Sequence, residues 1–103
     1  EVKNAVDAYV VPEMSNAVMR MSSLGGAMVL ADKGLETVFQ VCCRDRNRLA
    51  LQGDLLAAQA LGIDNVMAVT GEDINVGDHP KARAVNDLDL QELLGAIQTL
   101  NSW

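Results

Sequence analysis

Residues able to do chemistry gather in three short segments of this sequence. Thr70-Gly71-Glu72-Asp73 runs on to Gly77-Asp78-His79-Pro80, Cys42-Cys43-Arg44-Asp45-Arg46-Asn47-Arg48 alternates cations with polar residues, and Val11-Pro12-Glu13-Met14-Ser15 carries a carboxylate and a hydroxyl. The first segment says most. An apolar run ending in Thr-Gly-Glu places a carboxylate at once beyond it, and glycine lets a ligand approach the backbone closely. The stretch from Asp73 to Asn86 is long for a connection, and long ordered loops are often functional. The plainer alternative keeps Glu72 and Asp73 as solvated turn residues, and spacing alone leaves both readings open.

Arg44, Arg46 and Arg48 precede or open a helical pattern, where the helix dipole disfavours cations. A nearby anion would offset that cost, either a carboxylate such as Asp45 or a bound phosphate; a solvated face with one internal ion pair is the simpler reading. His79 is a loop histidine with no second histidine or carboxylate at ligand spacing, so no metal centre is expected. Cys42 and Cys43 are adjacent, and neighbouring cysteines rarely meet disulfide geometry. They read as reduced, partly buried thiols of a cytoplasmic protein. The sequence contains no Gly-x-Gly-x-x-Gly, no phosphate-binding P-loop and no assembled Ser–His–Asp set.

Bulk properties narrow the classes. The 103 residues carry a net charge of −6 and are 50% hydrophobic, with only 3% aromatic. An acidic chain has no general electrostatic pull toward nucleic acid. No apolar run approaches the roughly 20 residues that span a bilayer, so no membrane partner is expected. Glu1 opens the chain with neither an initiating Met nor a secretory leader, which reads as a processed chain or a fragment.

The elements that must position these segments are visible in the hydrophobic pattern. Apolar, Val-rich runs at Ala8–Val11, Thr37–Cys42 and Asn65–Val69 lack strict alternation, which fits strands of a parallel sheet covered on both faces. Between them the period is helical: Ala17, Met21, Leu24 and Met28 share a stripe, as do Leu51, Leu55 and Ala58, and Leu90, Leu93, Leu94 and Ile97. Gly34 and Gly62 fall where a left-handed C-terminal cap belongs. Asp89 and Glu92 form a capping-box pattern. Gly25-Gly26 interrupts the first helix, either for close packing on a strand or as a break.

The order is therefore β-α-β-α-β-loop-α with strands about 30 residues apart, the size of a βαβ unit with right-handed crossovers. The fold class is α/β, with ligands expected at the carboxyl ends of the strands. Three parallel strands leave two open edges, so the sequence reads as one partial domain over residues 1–103, the middle of a larger fold.

Phe39-Gln40-Val41-Cys42-Cys43-Arg44-Asp45-Arg46-Asn47-Arg48, Leu61-Gly62-Ile63-Asp64-Asn65-Val66-Met67-Ala68-Val69-Thr70-Gly71-Glu72, Gly77-Asp78-His79-Pro80 and Asp87-Leu88-Asp89 occur together and in order. With Asn16-Ala17-Val18-Met19-Arg20-Met21-Ser22-Ser23 they make the chain resemble the methylenetetrahydrofolate reductase family over nearly its whole length. The resemblance implies a partial TIM barrel, covering about the second to fourth of eight strands. It implies a flavoenzyme of one-carbon metabolism and methionine biosynthesis, using FAD (or FMN) to reduce 5,10-methylenetetrahydrofolate to 5-methyltetrahydrofolate. NAD(P)H or another electron donor, a folate substrate, and a larger chain or an oligomer are the implied partners.

Carried over by position, Glu72 matches the family's acid beside the flavin, one methylene longer, and is the candidate catalytic residue. Gln40, Thr70, Gly71, Glu72, Asn86 and Asp87 are the implied cofactor-binding positions. Gln40 stands where many members have a histidine, Pro12 at or beside a threonine, and Asn86-Asp87 where the pair is usually Tyr-Ala. The family's general acid, a Glu on the first strand, is implied to lie upstream of Glu1, and a folate-binding Gln beyond Trp103. A fragment of these limits is expected to be inactive alone. The departures motivate an alternative, a non-catalytic barrel relative serving as a binding or assembly subunit.

Overall fold

Three Val-containing runs form the strands β1 (Tyr9–Val11), β2 (Thr37–Cys42) and β3 (Asn65–Val69). The structure, a computed structural model, describes residues 7–100, so the expected limits of the domain at residues 1 and 103 lie outside the described residues. The strands form one sheet in the order β1-β2-β3, and both pairings are parallel. Tyr9 stands opposite Thr37 and Gln40 opposite Met67. A helix follows each strand: α1 (Ser23–Asp32), α2 (Arg48–Ala60) and α3 (Leu90–Leu100). Short 3-10 turns at Ser15–Ala17 and Ile74–Val76 interrupt the first and third connections. The expected succession of three parallel βα units is present.

All three helices pack on the same face of the sheet. Ala27 of α1, Leu51 and Ala58 of α2, and Leu93 of α3 share one buried cluster with Phe39, Val41 and Cys43. Successive strand residues point to opposite faces, so Val38 and Gln40 look the other way, with Val10 and Met67 beside them. That second face is open among the described residues, Val10 being 50% and Met67 42% exposed. Both faces of the strands carry apolar side chains, which explains the missing alternation, but the helices cover only one of them.

The first helix differs from its expected stripe. It begins only at Ser23, because the Ser22 side chain caps it by accepting from the Gly25 amide at 3.3 Å. Ala17 lies in a 3-10 turn, Met21 precedes the helix, and Met28 is exposed; Ser23 and Ala27 make the buried side instead. Gly25-Gly26 therefore lies in the first turn. A Cβ on Gly26 would stand 2.9 Å from Val11 Cγ1, so this glycine allows close helix–strand packing rather than a break.

The other helices follow their patterns more closely. In α2, Leu51 and Ala58 are buried, Leu55 packs on the core, and Asn47 caps the start by accepting from the Ala50 amide at 2.9 Å. In α3 the buried side is Leu93, Ala96 and Leu100 with Ile97 alongside, while Leu90 and Leu94 face outward. Asp89 and Glu92 form the expected capping box, each side chain accepting from the other's amide at 2.8 and 3.1 Å. Gly34 and Gly62 take the left-handed conformation, φ +78° and +77°, just past α1 and α2.

Leu49 and Leu51 of α2 give a direct check of this packing, being 83% and 0% exposed. In the intact protein Leu51→Ala should cost about 2–5 kcal/mol in urea denaturation, and Leu49→Ala less than about 0.5 kcal/mol. Equal costs would contradict the assigned helix face.

Candidate functional site

The carboxyl ends of the strands are held apart by a serine. Tyr9 N–H donates to the Glu36 carbonyl, so the ladder's next turns would bring the Gln40 amide onto the Val11 carbonyl. Instead the fully buried Ser23 hydroxyl stands between them. It donates to the Val11 carbonyl and accepts from the Gln40 amide at 2.7 Å. The first residue of α1 thus ends the β1–β2 pairing and opens the sheet where its loops begin.

Arg44, two residues past β2, is only 3% exposed and ties the three loops together. Its Nε and Nη2 donate to the two carboxylate oxygens of Asp45 at 2.6 and 2.8 Å. Nη2 also donates to the Met14 carbonyl at 3.3 Å in the first loop, and Nη1 to the Glu72 carbonyl at 3.0 Å in the third. The Glu72 carboxylate lies 3.8 Å from the same Nη1. The bidentate bond to Asp45 pushes the guanidinium's pKa up, so it stays charged in the interior. The second connection is closed by the third loop, Val85 and Asn86 donating backbone N–H groups to the Arg44 and Cys43 carbonyls.

Gly71 makes this arrangement possible. Its φ is +82°, and a Cβ there would lie 2.7 Å from Cys42 Sγ and 3.1 Å from Arg44 Cβ. Conformation and space both call for glycine. Thr70 and Glu72 on either side are exposed at the rim. Gln40, Thr70, Gly71 and Glu72 line one concavity of about 550 Å³ together with Glu13, Ser15, Ala68, Val69 and Leu90. The Gln40 amide is aimed by two neighbours, its Oε1 accepting from Glu13 N–H at 3.1 Å and its Nε2 lying 3.6 Å from Met67 Sδ.

Four of the six expected site positions therefore meet, and two do not line this space. Asn86 has φ +46°. Asp87 accepts from the Arg48 amide at 2.8 Å, so its carboxylate caps α2. Pro12 is exposed and absent from the lining, where Glu13 and Ser15 stand instead. His79 pairs with Asp78 at 2.8 Å, and that hydrogen bond holds the Asp78 carboxyl below its usual range. The other two arginines of this segment also have carboxylate partners: Arg46 lies 2.7 Å from Asp54, and Arg48 3.8 Å from Glu92. The anion that offsets the cationic segment is thus internal for each of the three. Both cysteines are free and buried, and burial pushes their thiols up, so neither is poised as a nucleophile.

Sequence reasoning placed Glu13 in a candidate segment without a role of its own, and missed Ser23 and the central place of Arg44. Glu13 is half-buried at the rim and accepts from the Ser23 amide at 2.8 Å at the start of α1. Burial pushes its pKa up, against the lowering effect of that bond. For Arg44 a signal existed, a cation beside Asp45 where a helix start disfavours one; for Glu13 and Ser23 only the fold brings the partners together. Chemically, the rim offers an amide, a hydroxyl, a close backbone and two carboxylates around a concavity within the usual size of small-molecule sites. Among the described residues no helix is long and apolar enough to cross a membrane.

In a comparison with known families, the family model described as methylenetetrahydrofolate reductase aligns with residues 8–102. Searches of curated proteins and of solved structures return no match.

Two variants test this geometry. Gly71→Ala should destabilise the intact protein by roughly 2–4 kcal/mol, from backbone strain and overlap with Cys42. Adding Cys42→Ala should recover part of that loss in urea denaturation, and no recovery would remove the sulfur contact from the account. Folding raises the Glu13 pKa above its ordinary 4.5, so its stabilising contribution is present below that value and lost as pH rises through the folded one. Glu13→Gln, neutral throughout, should gain stability relative to the parent as pH rises from below 4.5 toward neutrality; a pH-independent difference would contradict this.

Proposed function

The chain belongs to the methylenetetrahydrofolate reductase family, an oxidoreductase family of folate one-carbon metabolism, and from that premise we propose that it forms part of a flavin-dependent site reducing 5,10-methylenetetrahydrofolate to 5-methyltetrahydrofolate. The observation that carries this reading is the meeting of Gln40, Thr70, Gly71 and Glu72 in one concavity at the carboxyl ends of parallel strands. Sequential strand order with helices on one face and two free sheet edges supports the wider proposal of a partial eight-stranded barrel, completed by further strands. The setting is cytoplasmic, the implied product feeds methionine synthesis, and the electron donor is a reduced nicotinamide or another reductant.

The residues present suit a flavin. Gly71 brings backbone without a side chain to the lining of the concavity, and Gln40 offers an amide whose Nε2 lies 3.6 Å from the Met67 thioether. When bound, FAD or FMN would supply the two-electron chemistry that no side chain of this segment provides. Gln40, Thr70 and Gly71 would orient the ring edge through amide, hydroxyl and backbone contacts. The Asp73–Asn86 loop would cover the side remote from the ring.

Glu72 is the acid of this proposal. Its side chain is 51% exposed at the mouth, with the Arg44 guanidinium behind it. A carboxylate there can accept from the amino and ring N–H groups of a pterin and hold the folate in register. It also presents negative charge to any cation that develops as the methylene bridge opens. Proton donation to the folate belongs to a residue on another strand of the complete site.

Glu72→Gln in the intact protein should slow folate reduction about tenfold to a hundredfold while leaving flavin content unchanged. An unchanged rate would remove Glu72 from the mechanism. A second reading, a non-catalytic binding or assembly subunit, is favoured by one observation: the Gln40 oxygen is already taken by Glu13 N–H. Intact protein that purifies without a visible oxidised-flavin band, and takes up neither FAD nor FMN, would establish that reading instead.

A further inference from the structure

Arg44 has five guanidinium hydrogens, of which four are committed: two to Asp45, one to the Met14 carbonyl and one to the Glu72 carbonyl. The fifth is the second hydrogen of Nη1, the nitrogen 3.8 Å from the Glu72 carboxylate. That separation is too long for a hydrogen bond and short enough for an ion pair. One nitrogen therefore fixes the Glu72 backbone and attracts its side chain. The rest of the fork is locked, because Asp45 holds the Nε–Nη2 edge and the stem runs against Gly71. A carboxylate on a flexible three-torsion side chain would otherwise sample the whole mouth of the concavity.

We propose that Arg44 is the positioning residue for Glu72: it aims the rim carboxylate at the folate and couples its placement to the loops after β1 and β2. This rests on the reading of Glu72 as the folate-facing acid. Arg44 itself, almost wholly buried behind Glu72, does not line the concavity. Lysine cannot replace it, since a point charge cannot serve Asp45, Met14 and Glu72 at once.

The test is a double-mutant cycle on the intact holoenzyme, with Arg44→Lys, Glu72→Gln and the pair. Arg44→Lys should lower kcat/KM for 5,10-methylenetetrahydrofolate about tenfold, while electron transfer from the donor to a quinone acceptor stays within about twofold. In the Glu72→Gln background the same substitution should change folate turnover by less than about twofold, because the group it positions is gone. Asp45→Asn, which loosens the fork from its far side, should show the same coupling and serves where Arg44→Lys does not fold. Equal effects of Arg44→Lys in both backgrounds, or loss of both half-reactions together, would overturn the inference and leave Glu72 in place. A Glu72→Gln enzyme with full folate turnover would instead overturn the underlying reading.

Discussion

The buried guanidinium of Arg44 is the constraint on which the rim of this molecule depends. Three loops leave three parallel strands, and nothing in a parallel sheet fixes how loops from different strands stand relative to one another. One planar cation with bonds to Met14, Asp45 and Glu72 supplies that relation. The local backbone is shaped around it. Gly71 adopts a left-handed conformation that leaves room for the arginine stem, and the third loop returns at Val85 and Asn86 to pair with the carbonyls of Cys43 and Arg44. Separately, a Cβ on Gly77 would overlap the Ala17 carbonyl, so the first and third loops also touch directly.

Ser23 complements this from the sheet side. A regular ladder would continue the β1–β2 pairing toward the loops and narrow the space between them. The serine hydroxyl takes the place of one backbone bond while satisfying both the Val11 carbonyl and the Gln40 amide. The two backbone groups that the opening releases are thus both satisfied, which is what makes a splayed strand pair affordable in an interior. The result places the Gln40 side chain and the Glu13 amide on the open side, within 3.1 Å of each other. Strand separation, helix start and amide orientation are thus one linked feature.

The fold was largely legible because period and punctuation agree. β2 and β3 fall where their apolar runs do, and Gly34, Gly62 and the Asp89–Glu92 box mark helix ends by local chemistry alone. α1 was misjudged because Ala17 and Met21 keep a helical spacing through a segment that Ser22 caps off; spacing carries no information on where the backbone bonds stop. The site was legible in part. Thr70, Gly71 and Glu72 follow directly from a strand end, and Gln40 comes from the resemblance. Asp87 took a capping role on α2 that depends on a contact with Arg48, 39 residues away. The three arginines showed as a charge in the wrong place; Asp45 beside Arg44 was a visible partner, whereas Asp54 and Glu92 lie at separations from Arg46 and Arg48 that only the folded chain brings together.

The energetics of Arg44 argue that it serves position rather than stability. Taking a guanidinium and a carboxylate out of water costs several kcal/mol per ion, and a well-packed apolar replacement of a buried pair is often neutral or stabilising. A chain with half its residues hydrophobic has ample means to fill that space with leucine or methionine. What such a replacement cannot do is bond three loops in one plane. Asp45 has the same logic: it neutralises the cation while occupying only the edge that faces away from Glu72. The free hydrogen then remains on the side where the rim carboxylate stands, 3.8 Å off and still able to move toward a ligand. An arrangement built for stability alone would have closed that last bond.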